Sequence, residues 1–228
     1  MVRTCALVIF MLLALLSCAT TTSSPTAYPI FRLEDAKPAV AVVRVSPGKY
    51  LPELEECTKP DVWCLHSPFW FKARLIEPLY GTLPGSRLKV STLSHYGMDA
   101  YKRTRAPRLV SLAIREPDVI MPLYASAGLE TREDGSLFLL VHHPHDPWWL
   151  PCSVAQSREI IAKSDFPQSS FIENDAYEVR KYPELYVVSR DGAFPKFGIS
   201  TTRLRELLAA LRPSADTMRC NDDSDKSP

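Results

Sequence analysis

The chain opens with an uninterrupted apolar run and continues with stretches in which apolar and polar residues alternate. Residues 5–16 carry no charge and follow one basic residue, Arg3. A short basic start before an apolar core of this length is typical of a secretory signal. The run is too short, and wrongly flanked, for a stable membrane-spanning helix. The pattern therefore predicts a signal peptide over residues 1–17.

Three segments of the first half have strand patterns. Residues 39–45 are almost wholly apolar and rich in valine, which is typical of a strand covered on both faces. Residues 69–77 and 87–93 alternate between apolar and polar side chains, which predicts half-buried strands. The Gly and Pro residues between them predict a turn, so we expect these two strands to pair as a hairpin.

Strand patterns continue to residue 194, with more interruptions. Residues 109–123 contain Pro117 and Pro122, so we expect two short edge strands, where a missing backbone donor is tolerated. Asp134-Gly135 is a strong hairpin signal before an apolar strand over residues 136–143. A second hairpin is expected around residues 190–192.

Helical signals are few, in keeping with 20 prolines against 8 glycines. Ser153 with Gln156 resembles a capping box that opens a short helix to about Lys163. Leucines at helical spacing predict an amphipathic helix over Thr202–Leu211, which Pro213 ends. We therefore expect a mainly β (α+β) chain that forms a small antiparallel barrel or sandwich, with an OB-like barrel among the options, and a C-terminal helix.

Composition divides the chain into four parts. After the signal peptide, residues 18–29 are rich in Thr, Ser and Pro and predict a flexible tether. Residues 30–213 form a single predicted β-rich domain. Residues 214–228 are polar and predict a disordered tail, in which Cys220 is a candidate for pinning by a disulfide.

The end of the signal peptide carries a more specific pattern. Leu15-Leu16-Ser17-Cys18 resembles the lipobox of bacterial lipoproteins. The resemblance implies cleavage before Cys18, acylation of that residue (palmitate being the expected label) and a membrane anchor made of lipid. Ala19 would follow the acylated cysteine, which by resemblance to Gram-negative lipoproteins implies the outer membrane, facing the periplasm. An ordinary cleaved signal and an uncleaved anchor are the alternatives.

A second resemblance concerns the domain itself. The strand, glycine turn and second strand of residues 69–95 resemble OB-type barrels of netrin-like and metalloproteinase-inhibitor-like domains. Those inhibitors use an unblocked N-terminal cysteine against a metal, whereas Cys18 is predicted to be acylated. The resemblance therefore implies a barrel without implying inhibition.

The remaining cysteines predict disulfides. Cys57, Cys64, Cys152 and Cys220 are an even set in a chain predicted to be exported. Four cysteines allow three pairings, which sequence cannot separate. Cys57 and Cys64 bracket one short loop, which favours their pairing and leaves Cys152 with Cys220. An unpaired Cys220 is the alternative.

Three histidines lie together near the middle of the chain. In an extended segment, His143 and His145 point the same way, and His142 and Asp146 flank them. Imidazole nitrogens suit zinc or copper, so these four residues are a candidate metal site. The alternative is that a strand ends here in a polar corner, with no cofactor.

Two further groups of residues are candidate ligand contacts. Trp148 and Trp149 form an aromatic pair that suits a ligand platform or a packed barrel end. A loop interleaves aromatic and basic residues, which suits lipid phosphate or a cell-wall polymer. Its members are Tyr96, Tyr101, Arg103 and Arg105. Nucleic acid is not expected, because the chain is predicted to be exported and has 27 basic against 26 acidic residues.

The sequence contains neither a G-x-S-x-G elbow nor an H-E-x-x-H motif. We therefore expect a non-catalytic, lipid-anchored envelope protein that binds or scaffolds a protein or a cell-wall component. A periplasmic metal-binding protein that uses His142–His145 is the first alternative. A hydrolase with a site assembled from dispersed residues is the second.

Overall fold

The computed structural model describes residues 35–50, 67–94, 106–122, 125–213 and 220. The strands are β1 (Lys37–Tyr50), β2 (Ser67–Tyr80), β3 (Arg87–Ser94), β4 (Arg108–Arg115), β5 (Asp118–Ile120), β6 (Ser126–Gly128), β7 (Glu130–Thr131), β8 (Leu137–Leu140), β9 (Glu159–Ile160), β10 (Tyr186–Val188), β11 (Ala193–Pro195) and β12 (Phe197–Ser200). The helices are α1 (Cys152–Gln156), α2 (Tyr177–Lys181) and α3 (Thr201–Leu211), with 3-10 turns at Lys163–Asp165 and Pro183–Leu185.

The first five strands close into a barrel. β1 pairs antiparallel with β2, and β2 pairs antiparallel with β3 as the predicted hairpin. β3 pairs parallel with β5, β5 pairs with β4, and β4 returns to β1. The mainly β prediction is confirmed, and the barrel is the form the chain adopts. Five strands in Greek-key order are also the arrangement of OB-type barrels; kinship with netrin-like domains stays a prediction.

Most of the first half of β1 is completely enclosed in this barrel. It is hydrogen-bonded on both sides, to β2 and to β4. Residues 39–43 have no exposed surface at all. The strand is therefore covered on both faces over these residues, as its apolar sequence predicted, because each apolar side chain packs against an apolar neighbour.

The prediction of two edge strands in residues 109–123 is half wrong. Two strands form there, β4 and β5, and they pair antiparallel. Neither strand is an edge, because β4 pairs with β1 on one side and with β5 and β6 on the other, and β5 pairs with β3 as well as with β4. Pro117 lies in the turn between the strands rather than inside either one, so it removes no hydrogen bond from the ladder.

A second sheet lies beside the barrel, in the order β7-β8-β12-β9. The Asp134-Gly135 hairpin is confirmed, since β7 and β8 pair across it. Leu139 of β8 belongs to the same core as the barrel residues, while Phe138 packs with a separate cluster that includes Phe166. β8 is thus buried on both faces. It ends at Leu140, earlier than the predicted end at residue 143.

The two helical predictions have different outcomes. The capping box at Ser153 is wrong: α1 starts at Cys152, its N-cap is Pro151, and no side chain caps it. The C-terminal helix is confirmed as α3, where the Ser200 side chain accepts a hydrogen bond from the Arg203 backbone N–H. None of the helices in the described segments is long and apolar enough to cross a membrane.

α3 is fixed to the rest of the fold by packing and by charge. Leu204 and Leu208 are fully buried and join the barrel core. On the solvent side, the Arg205 guanidinium forms an ion pair with the Glu77 carboxylate of β2. The Tyr80 hydroxyl donates to the Pro213 carbonyl at 2.9 Å, just beyond the helix end. Barrel, second sheet and helix therefore share one main core.

Candidate binding cleft

The histidine segment forms a tight loop immediately after β8. Asp146 organises it: its Oδ2 accepts hydrogen bonds from the backbone N–H groups of His142 (3.0 Å) and His143 (2.8 Å). The Asp146 backbone N–H donates in return to the His143 carbonyl at 3.0 Å. The carboxylate thus satisfies backbone donors that the end of the strand leaves unpaired. Asp146 has a structural role in this loop.

Both ring nitrogens of His143 are engaged. Its Nδ1 accepts the backbone N–H of His145 at 3.2 Å, so the neutral ring carries its proton on Nε2. Nε2 lies 2.7 Å from the Tyr182 hydroxyl, to which it donates. Burial lowers the pKa of His143 and keeps the ring neutral. A metal ion at His143 would have to displace one of these two hydrogen bonds.

His142 faces the other side of the loop, against Tyr186. The Tyr186 hydroxyl donates to the His142 carbonyl at 3.1 Å and lies 3.4 Å from its Nδ1. Burial lowers the pKa of His142, although the carboxylates of Asp146 and Glu178 act in the opposite direction. Burial also raises the pKa of Tyr186 to about 12. Both groups are uncharged near neutral pH.

A disulfide closes the far side of the loop. Cys152 and Cys220 are bonded, as predicted by elimination. The Cys220 backbone N–H donates to the Trp148 carbonyl at 2.9 Å, so Cys220 is attached to α1 by the disulfide and to the loop by this hydrogen bond. The predicted Cys57–Cys64 pair lies outside the described residues.

An open cleft of about 570 Å³ lies between this loop and α2. Its lining combines aromatic rings with charged and polar groups: His142, His143, His145, Asp146, Trp148, Tyr177, Glu178, Lys181, Tyr182 and Cys220. A second cleft of about 290 Å³ lies on the β6 side of the loop. His142, Asp146 and Trp148 border both clefts.

α2 supplies the opposite wall of the larger cleft. Tyr177 and Lys181 are four residues apart and share one face of the helix. The Lys181 ammonium lies 5.3 Å from the Tyr177 ring centre and 5.2 Å from that of Tyr182. The two tyrosine hydroxyls hold the pKa of Lys181 above its usual range, so the group is positively charged at neutral pH.

Sequence reasoning found one wall of this cleft and missed the other. Trp148 is 38% exposed and lines the cleft, whereas Trp149 is 5% exposed and packs in the barrel core. Tyr177 and Lys181 were missed, although their helical spacing is visible in the sequence. The predicted contacts at Tyr96, Tyr101, Arg103 and Arg105 lie outside the described residues, as does Cys18.

The candidate metal site receives no geometric support. Within the described parts of the chain, the structure groups no three His, Cys, Asp or Glu side chains in an arrangement that could hold a metal ion. His143 and His145 do lie side by side, with ring centres 5.4 Å apart. Their contact is a hydrogen bond within the loop, with Asp146 turned toward the backbone. The segment therefore forms a polar corner held by its own hydrogen bonds, and a metal site there stays a prediction.

Comparisons with known proteins add no relative: no family model, no curated protein and no solved structure matches the chain.

Proposed function

We propose that this chain is a lipid-anchored envelope protein whose β-barrel domain binds an envelope component without transforming it. The proposal that the domain binds a ligand rests on the cleft between the histidine loop and α2. Its size falls within the range of small-molecule sites. Aromatic rings line it, and the side chains of Asp146 and His143 are engaged in hydrogen bonds within the fold.

The contacts of those polar groups favour binding over catalysis. Asp146 accepts two backbone donors, and both nitrogens of His143 have partners within the fold. A general base must instead reach a proton of the substrate. The rest of the lining includes the aromatic residues Trp148 and Tyr177 and the charged residues Glu178 and Lys181.

This lining fits a saccharide of the cell envelope. A sugar ring offers an apolar face to an aromatic side chain and hydroxyl groups to charged or amide partners. Trp148 and Tyr177 are exposed aromatic residues of the lining, and Lys181 and Glu178 are hydrogen-bonding groups of the opposite wall. The disulfide between Cys152 and Cys220 supports an oxidising compartment, in agreement with the predicted export.

Isothermal titration calorimetry of the protein with soluble cell-wall glycan fragments tests the cleft, because its signal does not depend on the tryptophan that the variant removes. Trp148→Ala should weaken binding about 30-fold, the effect expected for a central aromatic contact. Ile160→Ala is the matched control, because Ile160 is 74% exposed and lies outside the cleft. Equal affinities of wild type and Trp148→Ala, or no binding by wild type, would refute the saccharide proposal.

Anchoring is tested separately by labelling cells with radioactive palmitate. The wild-type chain should incorporate the label and Cys18→Ala should not, because acylation is proposed at that thiol and at the amino group that cleavage exposes. Equal labelling of the two chains would refute the lipid anchor and leave the cleft proposal standing.

A further inference from the structure

The outer surface of the barrel carries a concentrated array of positive charge on β1, β2 and β3. In the register of these strands, Arg44 lies opposite Arg74, and Arg74 lies opposite Arg87. One step along, Ser46, Lys72 and Lys89 form a second row. Lys49, Trp70 and Ser91 form a third. We call these nine positions the basic face.

The basic face concentrates positive charge in one place, although the chain as a whole has no large excess of basic residues. It holds six cations and no Asp or Glu, while the whole chain has a net charge of only +1. All six cations are exposed. Among the described residues, none of the six forms a salt bridge. The array spans about 10 Å across the strands and about 13 Å along them, from ordinary strand spacings.

Such an array works against the fold. Like charges directly opposite on neighbouring strands are destabilising, and the register creates three such pairs. They are Arg44 with Arg74, Arg74 with Arg87, and Lys72 with Lys89. Nothing in the described part of the barrel offsets this repulsion with a carboxylate. An external anion would remove it.

The form of the face points to a broad anionic surface rather than to one small ligand. The cationic groups lie at the ends of flexible, solvated side chains. The groove between them is shallow, with a volume of about 490 Å³. Trp70 lies at the margin under the Lys89 ammonium, 4.9 Å from the ring centre. Tryptophan is enriched where proteins meet the membrane–water interface.

From these observations we propose that the basic face docks the barrel onto an anionic phospholipid membrane. The cations lie over lipid phosphates, and Trp70 contacts the headgroup level. The attraction is long-ranged and weakened by salt. This surface lies on other residues than the cleft, so the cleft proposal and the docking proposal can fail independently.

Flotation of the full-length chain with lipid vesicles tests the docking. Vesicles of phosphatidylcholine alone are compared with vesicles of phosphatidylcholine and phosphatidylglycerol in equal amounts. The ratio of the two partition coefficients removes any contribution of the apolar N-terminal segment. Each surface cation contributes about fivefold to partitioning onto anionic lipid. Arg74→Gln/Arg87→Gln should therefore lower the ratio about 30-fold, and added salt should lower it for wild type.

The control is Arg180→Gln/Arg190→Gln, which removes the same charge from exposed positions outside the basic face and should leave the ratio near that of wild type. The melting temperature of Arg74→Gln/Arg87→Gln should equal or exceed that of wild type, because two of the three repulsive pairs are removed. Equal wild-type partitioning onto neutral and anionic vesicles would overturn the proposal. So would equal losses in both double variants, or tight binding to soluble polyphosphate with none to vesicles.

Discussion

The disulfide between Cys152 and Cys220 offers a direct test of how the end of the chain is held. It closes a loop with a sequence separation of 68 residues. In the chain-entropy treatment, a cross-link over a loop of that length lowers the entropy of the unfolded chain by about 15 cal/mol/K, which corresponds to about 4 kcal/mol at 25 °C. Replacing both cysteines by alanine should lower the free energy of unfolding by about that amount.

Urea unfolding followed by circular dichroism measures this difference between wild type and Cys152→Ala/Cys220→Ala. The melting temperature should fall by roughly 8–16 °C, as expected for about 4 kcal/mol in a domain of this size. Ser153→Ala is a suitable control, since it leaves in place the Ser153 backbone carbonyl, which accepts a hydrogen bond from the Ser157 hydroxyl. Unlike reduction of wild type, the double variant leaves the other cysteines untouched.

The result also bears on the cleft, because Cys220 lines it and is hydrogen-bonded to Trp148. If the double variant were as stable as wild type, the loop-closure reasoning would be refuted. If it lost stability in line with the estimate but kept a folded barrel, the cross-link would act on the unfolded chain as argued.

Three other changes have defined outcomes. His142 and His143 have folded-state pKa values lowered by burial from the ordinary 6.5, so below that pH the unfolded chain binds more protons. The free energy of unfolding should therefore fall as the pH drops through about 6.5, and the fall should be shallower in His142→Gln; an identical pH profile would contradict this. Leu208→Ala empties a fully buried position in the core and should cost about 2–5 kcal/mol in chemical denaturation; a loss under 1 kcal/mol would count against tight packing there. Gly48→Ala would place a methyl group inside contact distance of the Trp70 carbonyl oxygen, so thermal melting should show a marked loss of stability, and a neutral result would contradict this close approach of β1 to β2.

Local patterns predicted most elements and little of the cleft. The valine-rich β1, the hairpin of β2 and β3, and the leucine face of α3 were visible because strand and helix periodicities are properties of the chain itself. The prediction of a capping box at Ser153 was wrong, because a motif of a few residues does not decide where a helix starts. In the structure Pro151 occupies the N-cap. The histidine segment was a candidate metal site in the sequence, but the contacts of its side chains were not visible there.

What the sequence alone determined is the hydrophobic pattern and therefore the elements: a mainly β chain with one amphipathic helix near its C-terminus. The tertiary structure decided which strands are edges, since β4 closes the barrel through pairs with β1 and β5. It also decided the state of His143, whose partner Tyr182 lies 39 residues away. Pairing register and long-range contacts depend on the whole packed chain, and local periodicity does not encode them.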